Sequence, residues 1–293
     1  MVLLVFALLT APIDSVVVHN IEVAEGETLR ITSIGTGRPV VLIPGVLGAA
    51  FGYRKITAPL VGRGYRTIVI EPLGYGWSSH PKNADYSFTA QTKRIAQALD
   101  RLGIKQALFV AQSSSAGIAF RLTLARPDLV RGLLSIDGGP VESPATPGMK
   151  KAFKFGGFAA KLAMDESKLR HDVRKEIIRN SGDTTWVTDA VIRNYTAGQA
   201  ADLDGSIDAF HRMAKSTERE SLVDRLHQCA VPVRLLVGTK RHPSEVTDGQ
   251  RGLLEEKIRD FTIESVRGAG QFIQEEQPAA VLAAMSRLEQ AAR

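Results

Sequence analysis

The sequence predicts an α/β protein with a mostly parallel central sheet, flanked by helices and interrupted by one helical insertion. Short apolar runs rich in β-branched residues alternate with segments of helical spacing along most of the 293 residues. Strands that alternate with helices are joined by right-handed crossovers, which produce a parallel sheet. The alternation stops between about residues 140 and 226, where only helices and loops are predicted, and then resumes.

The first two strands are predicted at residues 16–23 and 28–34, joined by a turn, and they form an antiparallel edge. Residues 40–43 are continuously apolar, as expected for a strand that is buried on both faces. Residues 53–60 have helical spacing, and residues 66–70 form the next β-branched strand. The remaining predicted elements are, in chain order, helix 86–102, strand 107–110, helix 116–125, strand 132–136, strand 233–237, helix 253–258, strand 261–266 and helix 278–291.

These elements define three parts of the chain. Residues 1–15 are an apolar N-terminal segment, residues 16–139 and 227–293 form the α/β core, and residues 140–226 are predicted to form a helical lid. Residues 1–12 carry no charge and are far shorter than the roughly 20 residues that span a bilayer, so no stable membrane span is expected. The segment is similar to the apolar part of a signal peptide but lacks its positive leader. We therefore favour a cytoplasmic protein, with a signal remnant and export as the alternative.

Composition and charge exclude several classes of function. The composition is 44% hydrophobic and 23% charged, as in ordinary globular chains. The single cysteine, Cys229, excludes an internal disulfide and multi-cysteine metal sites. Of the net charge of +6, nine basic and five acidic residues between positions 150 and 185 account for +4, which indicates a solvated basic surface. We predict no metal, no cofactor and no nucleic-acid partner, and a small molecule as substrate or ligand.

The residues that follow the buried strands carry the chemical information, because sites in such sheets lie beyond the carboxyl ends of the strands. A glycine-rich loop, Pro44–Gly48, follows the first buried strand, and the sequence Glu71-Pro-Leu-Gly-Tyr-Gly-Trp-Ser78 follows the second. After the third comes Gln112-Ser-Ser-Ser-Ala-Gly117, which leads directly into a helix. A serine on a sharp turn between a strand and a helix is held exposed and needs small neighbours.

In these motifs the chain resembles the α/β-hydrolase superfamily, specifically the lidded type that includes esterases, haloalkane dehalogenases, epoxide hydrolases and carbon–carbon bond hydrolases. The resemblance implies that Ser113 is the nucleophile, with both glycines of the family's Gly-x-Ser-x-Gly elbow replaced by small residues. It implies that the backbone N–H groups of Val46 and Ser114 form the oxyanion hole. Glu71 takes the place of an aspartate in the family's Asp-x-x-Gly-x-Gly-x-Ser loop.

The family's catalytic histidine and acid are both replaced. In Gly268-Ala-Gly-Gln-Phe272, Gln271 occupies the position of the histidine, and a glutamine cannot act as a general base near neutral pH. Arg241 occupies the position where the acid commonly follows the next-to-last strand. Asp137 fits the alternative position after the earlier strand, so we predict it as the acid of a degenerate triad.

Three explanations for activity remain open. His242 on the loop after the next-to-last strand is predicted as the surrogate base, with a surface position as the alternative. A histidine of the insertion, His171 or His211, is the second possibility, although both lie in charged helical stretches. The third is lyase or isomerase chemistry that needs no activated serine. Another histidine, His80, is expected at the surface, with a position at the mouth of the pocket as the alternative.

Two functions of different class therefore remain. The first is a hydrolase that acts on a small, apolar, ester-like substrate through Ser113 with a non-standard base. The second is a catalytically inactive protein of the same fold that binds or senses a small molecule. An intact fold agrees equally with both, because fold does not determine function; we favour the enzyme.

Overall fold

The computed structural model describes residues 16–144, 150, 153, 161–162 and 164–293. The predicted N-terminal segment at residues 1–15 lies outside the described residues, as does most of the insertion between residues 145 and 160. The described part contains an eight-stranded sheet with helices on both faces. The predicted α/β class, with a mostly parallel sheet, is confirmed.

The sheet has the strand order β1-β2-β4-β3-β5-β6-β7-β8. The two hairpin strands pair antiparallel with each other, and β2 pairs antiparallel with β4, whereas all other neighbours are parallel. The strands are β1 (Val17–Ala24), β2 (Glu27–Ile34), β3 (Arg38–Ile43), β4 (Tyr65–Ile70), β5 (Ala107–Gln112), β6 (Val130–Ile136), β7 (Val233–Gly238) and β8 (Phe261–Val266).

The central strands are buried on both faces, which explains their continuous apolar sequence. In β3, Val41 and Ile43 pack into the core on one face of the sheet, and Val40 and Leu42 pack into the core on the other. The described helices are α1 (Arg54–Gly62), α2 (Phe88–Arg101), α3 (Ala116–Ala125), α4 (Glu166–Asn180), α5 (Asp189–Ala201), α6 (Leu203–Lys215), α7 (Asp248–Lys257), α8 (Ile273–Glu276) and α9 (Pro278–Ala291).

The insertion, residues 140–226, contributes α4, α5 and α6 between β6 and β7. Its apolar residues form a cluster with Phe272 of the core, in which the Trp186 ring packs against both Tyr195 and Phe272. Asn180, at the end of α4, also accepts a 2.7 Å hydrogen bond from the backbone N–H of Gln271. The insertion is therefore packed directly on the loop that carries Gln271.

Within the described ranges, no helix is long and apolar enough to cross a membrane. The same residues contain no group of three or more histidine, cysteine or acidic side chains arranged to hold a metal ion.

Candidate active site

Ser113 lies on a sharp turn at the carboxyl end of β5. Its backbone φ of 55° is in the left-handed region, which is uncommon for a residue other than glycine. A single 3-10 turn, Ser113–Ser115, leads from the strand into α3. The space beside it is tight, because a Cβ atom added to Gly138 would lie 2.3 Å from the Ser113 carbonyl oxygen. Strain of this kind persists only where the surrounding structure enforces it, and it is typical of functional sites.

The Ser113 hydroxyl contacts Gln271. The Gln271 Nε2 atom donates a hydrogen bond of 2.9 Å to Ser113 Oγ. An amide N–H can only donate, so this bond uses a lone pair of the hydroxyl oxygen and leaves the hydroxyl hydrogen free to point elsewhere. The structure therefore brings Ser113 and Gln271 together, and the contact supplies orientation but no base.

The loop that carries Gln271 is fixed through its backbone. Lys240 N donates to the Ala269 carbonyl at 3.0 Å, and Gln271 N donates to the Asn180 carbonyl. A Cβ atom on Gly270 would lie 2.3 Å from that Asn180 oxygen, so the approach requires glycine. The backbone of residue 271 is therefore held by hydrogen bonds that do not involve its own side chain.

Gln112, which precedes the serine, joins the two loops beside it. Its Oε1 atom accepts a 3.1 Å hydrogen bond from Gly45 N, and its Nε2 atom donates to the Gln271 carbonyl at 3.4 Å. Ser115 adds a second link to the glycine-rich loop, because its hydroxyl donates to the Pro44 carbonyl at 2.6 Å. These bonds hold the loop that contains Val46 next to the turn that contains Ser114. The backbone N–H groups of these two residues are the predicted donors of the oxyanion hole.

Asp137 and His242 form a buried pair at the ends of the two neighbouring strands, β6 and β7. His242 Nε2 lies 2.9 Å from Asp137 Oδ2, and each side chain is only 1% exposed. The two groups are close but not well aligned for a hydrogen bond, and His242 Nδ1 has no partner among the described residues. Burial raises the pKa of the Asp137 carboxyl, and the neighbouring His242 acts in the opposite direction. The alternative of a surface position for His242 is wrong.

The other predicted candidates lie elsewhere. Arg241 points outward with its side chain 82% exposed and forms an ion pair of 2.5 Å with Glu245. His171 is exposed on α4, and the ring of His211 on α6 lies 5.4 Å from that of Phe153. Within the described part of the chain, the Ser113 hydroxyl is hydrogen-bonded to Gln271 and to none of these candidates.

Glu71 holds the loop that follows β4. It is 1% exposed, and its two carboxylate oxygens accept hydrogen bonds from Ala50 N at 2.8 Å and Trp77 N at 2.5 Å. Burial is the largest influence on its pKa and raises it, while the two N–H donors oppose that rise. A Cβ atom on Gly76 would lie 2.3 Å from Glu71 Oε2, so the loop wraps tightly around the carboxylate.

We expect Glu71→Gln to lower the free energy of unfolding by about 1–3 kcal/mol, because an amide NH₂ would face a buried N–H donor that then has no acceptor. The measurement is the midpoint and slope of urea denaturation. Glu255→Gln, on the exposed face of α7, is the matched control and should change stability by less than about 0.5 kcal/mol. Equal shifts in the two variants would contradict this role for Glu71.

Sequence reasoning missed the contacts of two buried side chains, His80 and Glu275. His80, predicted at the surface, is buried against α6 of the insertion, so that prediction is wrong. Glu275 of α8 is also buried; it accepts a 2.8 Å hydrogen bond from the Tyr195 hydroxyl and pairs with Arg54 and Lys55. The partners lie on other elements far along the chain, so no local pattern indicated these contacts.

The geometry of the turn at Ser113 and the order of the strands agree with the protein family that the sequence matches. Residues 38–188, just over half of the chain, match the profile of the family described as alpha/beta hydrolase fold. The chain belongs to this family.

Curated relatives match part of the chain. It is 28% identical over 158 residues to the 2-hydroxymuconate semialdehyde hydrolase of Pseudomonas sp. (strain CF600), covering 53% of this chain and 55% of that protein. It is 29% identical over 118 residues to bifunctional epoxide hydrolase 2 of Mus musculus, covering 40% of this chain and 21% of the relative. The matches span about half or less of these relatives.

Solved structures match over nearly the whole chain. An epoxide hydrolase, CorEH without ligand, superposes with a TM-score of 0.77 at 18% identity, covering 95% of this chain and 100% of that one. A meta-cleavage product hydrolase from Pseudomonas fluorescens gives a TM-score of 0.73 at 18% identity, covering 96% and 99%. At this identity the likeness shows the fold.

Proposed function

We propose that the protein is a hydrolase that acts on a small, mainly apolar ester-like substrate, with Ser113 as nucleophile and the Asp137–His242 pair in place of the family's acid and histidine. The observation that carries the proposal is the strained backbone of Ser113 at the elbow. A left-handed serine is costly to maintain, by about 1–3 kcal/mol, and it presents the hydroxyl at the edge of the sheet where substrates bind.

In the proposed reaction, each of these groups has a separate role. Ser113 Oγ attacks the substrate carbonyl, and the His242 imidazole takes up the proton of the serine hydroxyl. The backbone N–H groups of Val46 and Ser114 stabilise the oxyanion. His242 returns the proton to the leaving alkoxide, and water then hydrolyses the acyl-enzyme. Gln271 holds Ser113 Oγ through a lone pair and leaves the hydroxyl hydrogen available for transfer.

Asp137 supports His242 in this scheme. The carboxylate lies on the strand next to Ser113, and the imidazole approaches it from the strand beyond. A carboxylate beside an imidazole stabilises the imidazolium that forms when the proton is taken up. The unpartnered Nδ1 atom of His242 is the nitrogen that remains to accept a proton.

The small size and the apolar character of the substrate are inferred from separate sources. The names of two relatives, a 2-hydroxymuconate semialdehyde hydrolase and a bifunctional epoxide hydrolase, support a small molecule as the substrate. The aromatic residues Trp186 and Tyr195 of the insertion, together with Phe51 and Phe272, pack above the loop of Gln271. Aromatic and apolar walls with a few polar groups are typical of small-molecule sites.

Covalent labelling with a fluorophosphonate probe tests the proposal. We expect the intact mass to increase by one probe adduct in the unaltered protein and in Ser114→Ala, and no adduct in Ser113→Ala. Ser114→Ala is the matched control because it removes a neighbouring hydroxyl but keeps the backbone N–H. Labelling that persists in Ser113→Ala would exclude this serine as the nucleophile.

A second function has one observation in its favour, the hydrogen bond from Gln271 to Ser113 where the family places its base. In this alternative the site binds a small molecule without turnover, or performs a lyase or isomerase reaction without serine activation. A folded protein that is not labelled at all by the probe would favour this function over the hydrolase.

A further inference from the structure

One carboxylate, that of Glu276 at the end of α8, joins the insertion to the loop after β8. From the insertion, Gly182 N and Asp183 N each donate a hydrogen bond of 2.8 Å to Glu276 Oε2. From the core, Gly270 N lies 3.1 Å from Oε2 and 3.2 Å from Oε1, and Phe272 N donates to Oε1 at 3.3 Å. Main-chain N–H groups from two parts of the fold therefore converge on a single side chain.

The chemistry of a carboxylate suits this set of donors. An ionised carboxylate only accepts hydrogen bonds, and its two oxygens offer about four lone-pair sites. Bonds from N–H groups to a charged acceptor are also stronger than those to a neutral one. A glutamine at this position would offer one acceptor oxygen, and its NH₂ group would face N–H donors that cannot accept. The contacts consequently depend on the charge of Glu276 as well as on its shape.

The core side of this contact involves the residues on either side of Gln271. Gly270 N and Phe272 N bind the carboxylate, and Gln271 N donates to the Asn180 carbonyl of the insertion at 2.7 Å. The side chain of Gln271 in turn donates to Ser113 Oγ. The carboxylate thus acts, through the main chain, on the residue that contacts the candidate nucleophile.

The two main chains approach closely where the carboxylate joins them. A Cβ atom added to Gly182 would lie 1.9 Å from the Gly268 carbonyl oxygen, and one added to Gly270 would lie 2.3 Å from the Asn180 carbonyl oxygen. Approaches this close require glycine. No side chain separates the two segments at these points, so the insertion cannot shift toward the loop without displacing it.

We propose that Glu276 is a positioning residue, which fixes the segment after α4 on the loop of residue 271 and thereby holds Gln271 against Ser113. The insertion and Gln271 then move together, because a motion that lifts residues 182 and 183 from the carboxylate also weakens its hold on residues 270 and 272. The effect of Glu276 on turnover rests on the proposed hydrolase, whereas its effect on the position of Gln271 does not.

Nuclear magnetic resonance of the whole protein tests the position of Gln271 directly. The side-chain amide signal of Gln271 is identified by its loss in Gln271→Ala. In Glu276→Gln we expect this signal to shift, and hydrogen exchange of residues 181–183 and 270–272 to rise about tenfold or more, as expected for the loss of hydrogen bonds to a charged group. Glu255→Gln makes the same charge change at an exposed position and should alter neither. An unchanged Gln271 signal in folded Glu276→Gln would overturn the proposal.

A second variant disturbs the same contact and leaves the carboxylate in place. Gly182→Ala places a Cβ atom against the Gly268 carbonyl, and it should also shift the side-chain amide signal of Gln271. Gly252→Ala, in α7, is the matched control, because no atom lies within 4 Å of the added Cβ. This variant decides the question if Glu276→Gln does not fold. A Gln271 signal that stays in place in Gly182→Ala would refute the joint movement of the two segments.

The rate of fluorophosphonate labelling at Ser113 tests the consequence for catalysis. We expect labelling to be about tenfold slower in Glu276→Gln than in Glu255→Gln, because the serine hydroxyl loses its orientation. Equal labelling rates in the two variants would contradict a role for Glu276 in turnover. An unaltered protein that is not labelled at all would contradict the hydrolase, and the magnetic resonance measurement would still decide whether Glu276 positions Gln271.

Discussion

Replacement of His242 by alanine is expected to abolish Ser113-dependent turnover, with a loss of roughly a thousandfold or more in kcat/KM. The reason is that His242 is the one imidazole that the described structure places against a buried carboxylate at the strand ends. The measurement is hydrolysis of a panel of short chromogenic esters, together with the rate of fluorophosphonate labelling.

The loss must be separated from damage to the fold, since His242→Ala leaves Asp137 buried without its neighbour. His242→Gln retains a donor for the Asp137 carboxylate but no base, and it should be as inactive as the alanine variant. Arg241→Ala, at the exposed neighbouring position, should keep full activity. Activity that survives in His242→Gln would remove this histidine from the mechanism.

The second large effect concerns Gln271, which we propose stands at the position of the family's histidine. We expect Gln271→His alone to raise esterase activity only modestly, because Asp137 already lies against His242 and, in the same proposal, Arg241 replaces the usual acid. In the His242→Ala background the same change should raise kcat/KM by roughly a thousandfold, since Asp137 is then free to orient the introduced imidazole.

The values of kcat/KM for the unaltered protein, His242→Ala, Gln271→His and the double variant together measure the coupling between positions 242 and 271. Independent sites would give the same gain from Gln271→His in both backgrounds. A gain of roughly a thousandfold from Gln271→His alone would mean that the rest of the site is intact and that only the base is missing.

The sequence predicted the fold because the strands and helices are repetitive and local. Continuous apolar runs identified β3 and β5; the predicted end of β3 is confirmed, whereas β5 runs on to Gln112, beyond its predicted end at residue 110. The burial of β3 residues on both faces is the physical basis of that pattern. Ser113 was assigned to the turn by the resemblance to the family's elbow; the predicted strand before it and the Arg126-Pro127 pair that closes the helix after it favoured this serine over Ser114 and Ser115.

The contacts of the loops were not predictable in the same way. Arg241 and His242 are adjacent, yet one is exposed and the other is buried against Asp137, and no periodicity distinguishes them. His80 was expected at the surface because its partner Ser206 is 126 residues away along the chain. Side chains on loops are positioned by tertiary contacts, which residue spacing does not encode.

The backbone that holds residue 271 has an evolutionary consequence. Asn180, Lys240 and Glu276 secure the loop through its main-chain atoms, so we expect the loop to keep its shape when histidine replaces glutamine at position 271. Glutamine and histidine codons differ only in their third base. A single nucleotide change therefore exchanges a hydrogen-bond donor for a proton acceptor beside Ser113 on an unchanged scaffold, and a lineage can lose or regain this group without first rebuilding the loop.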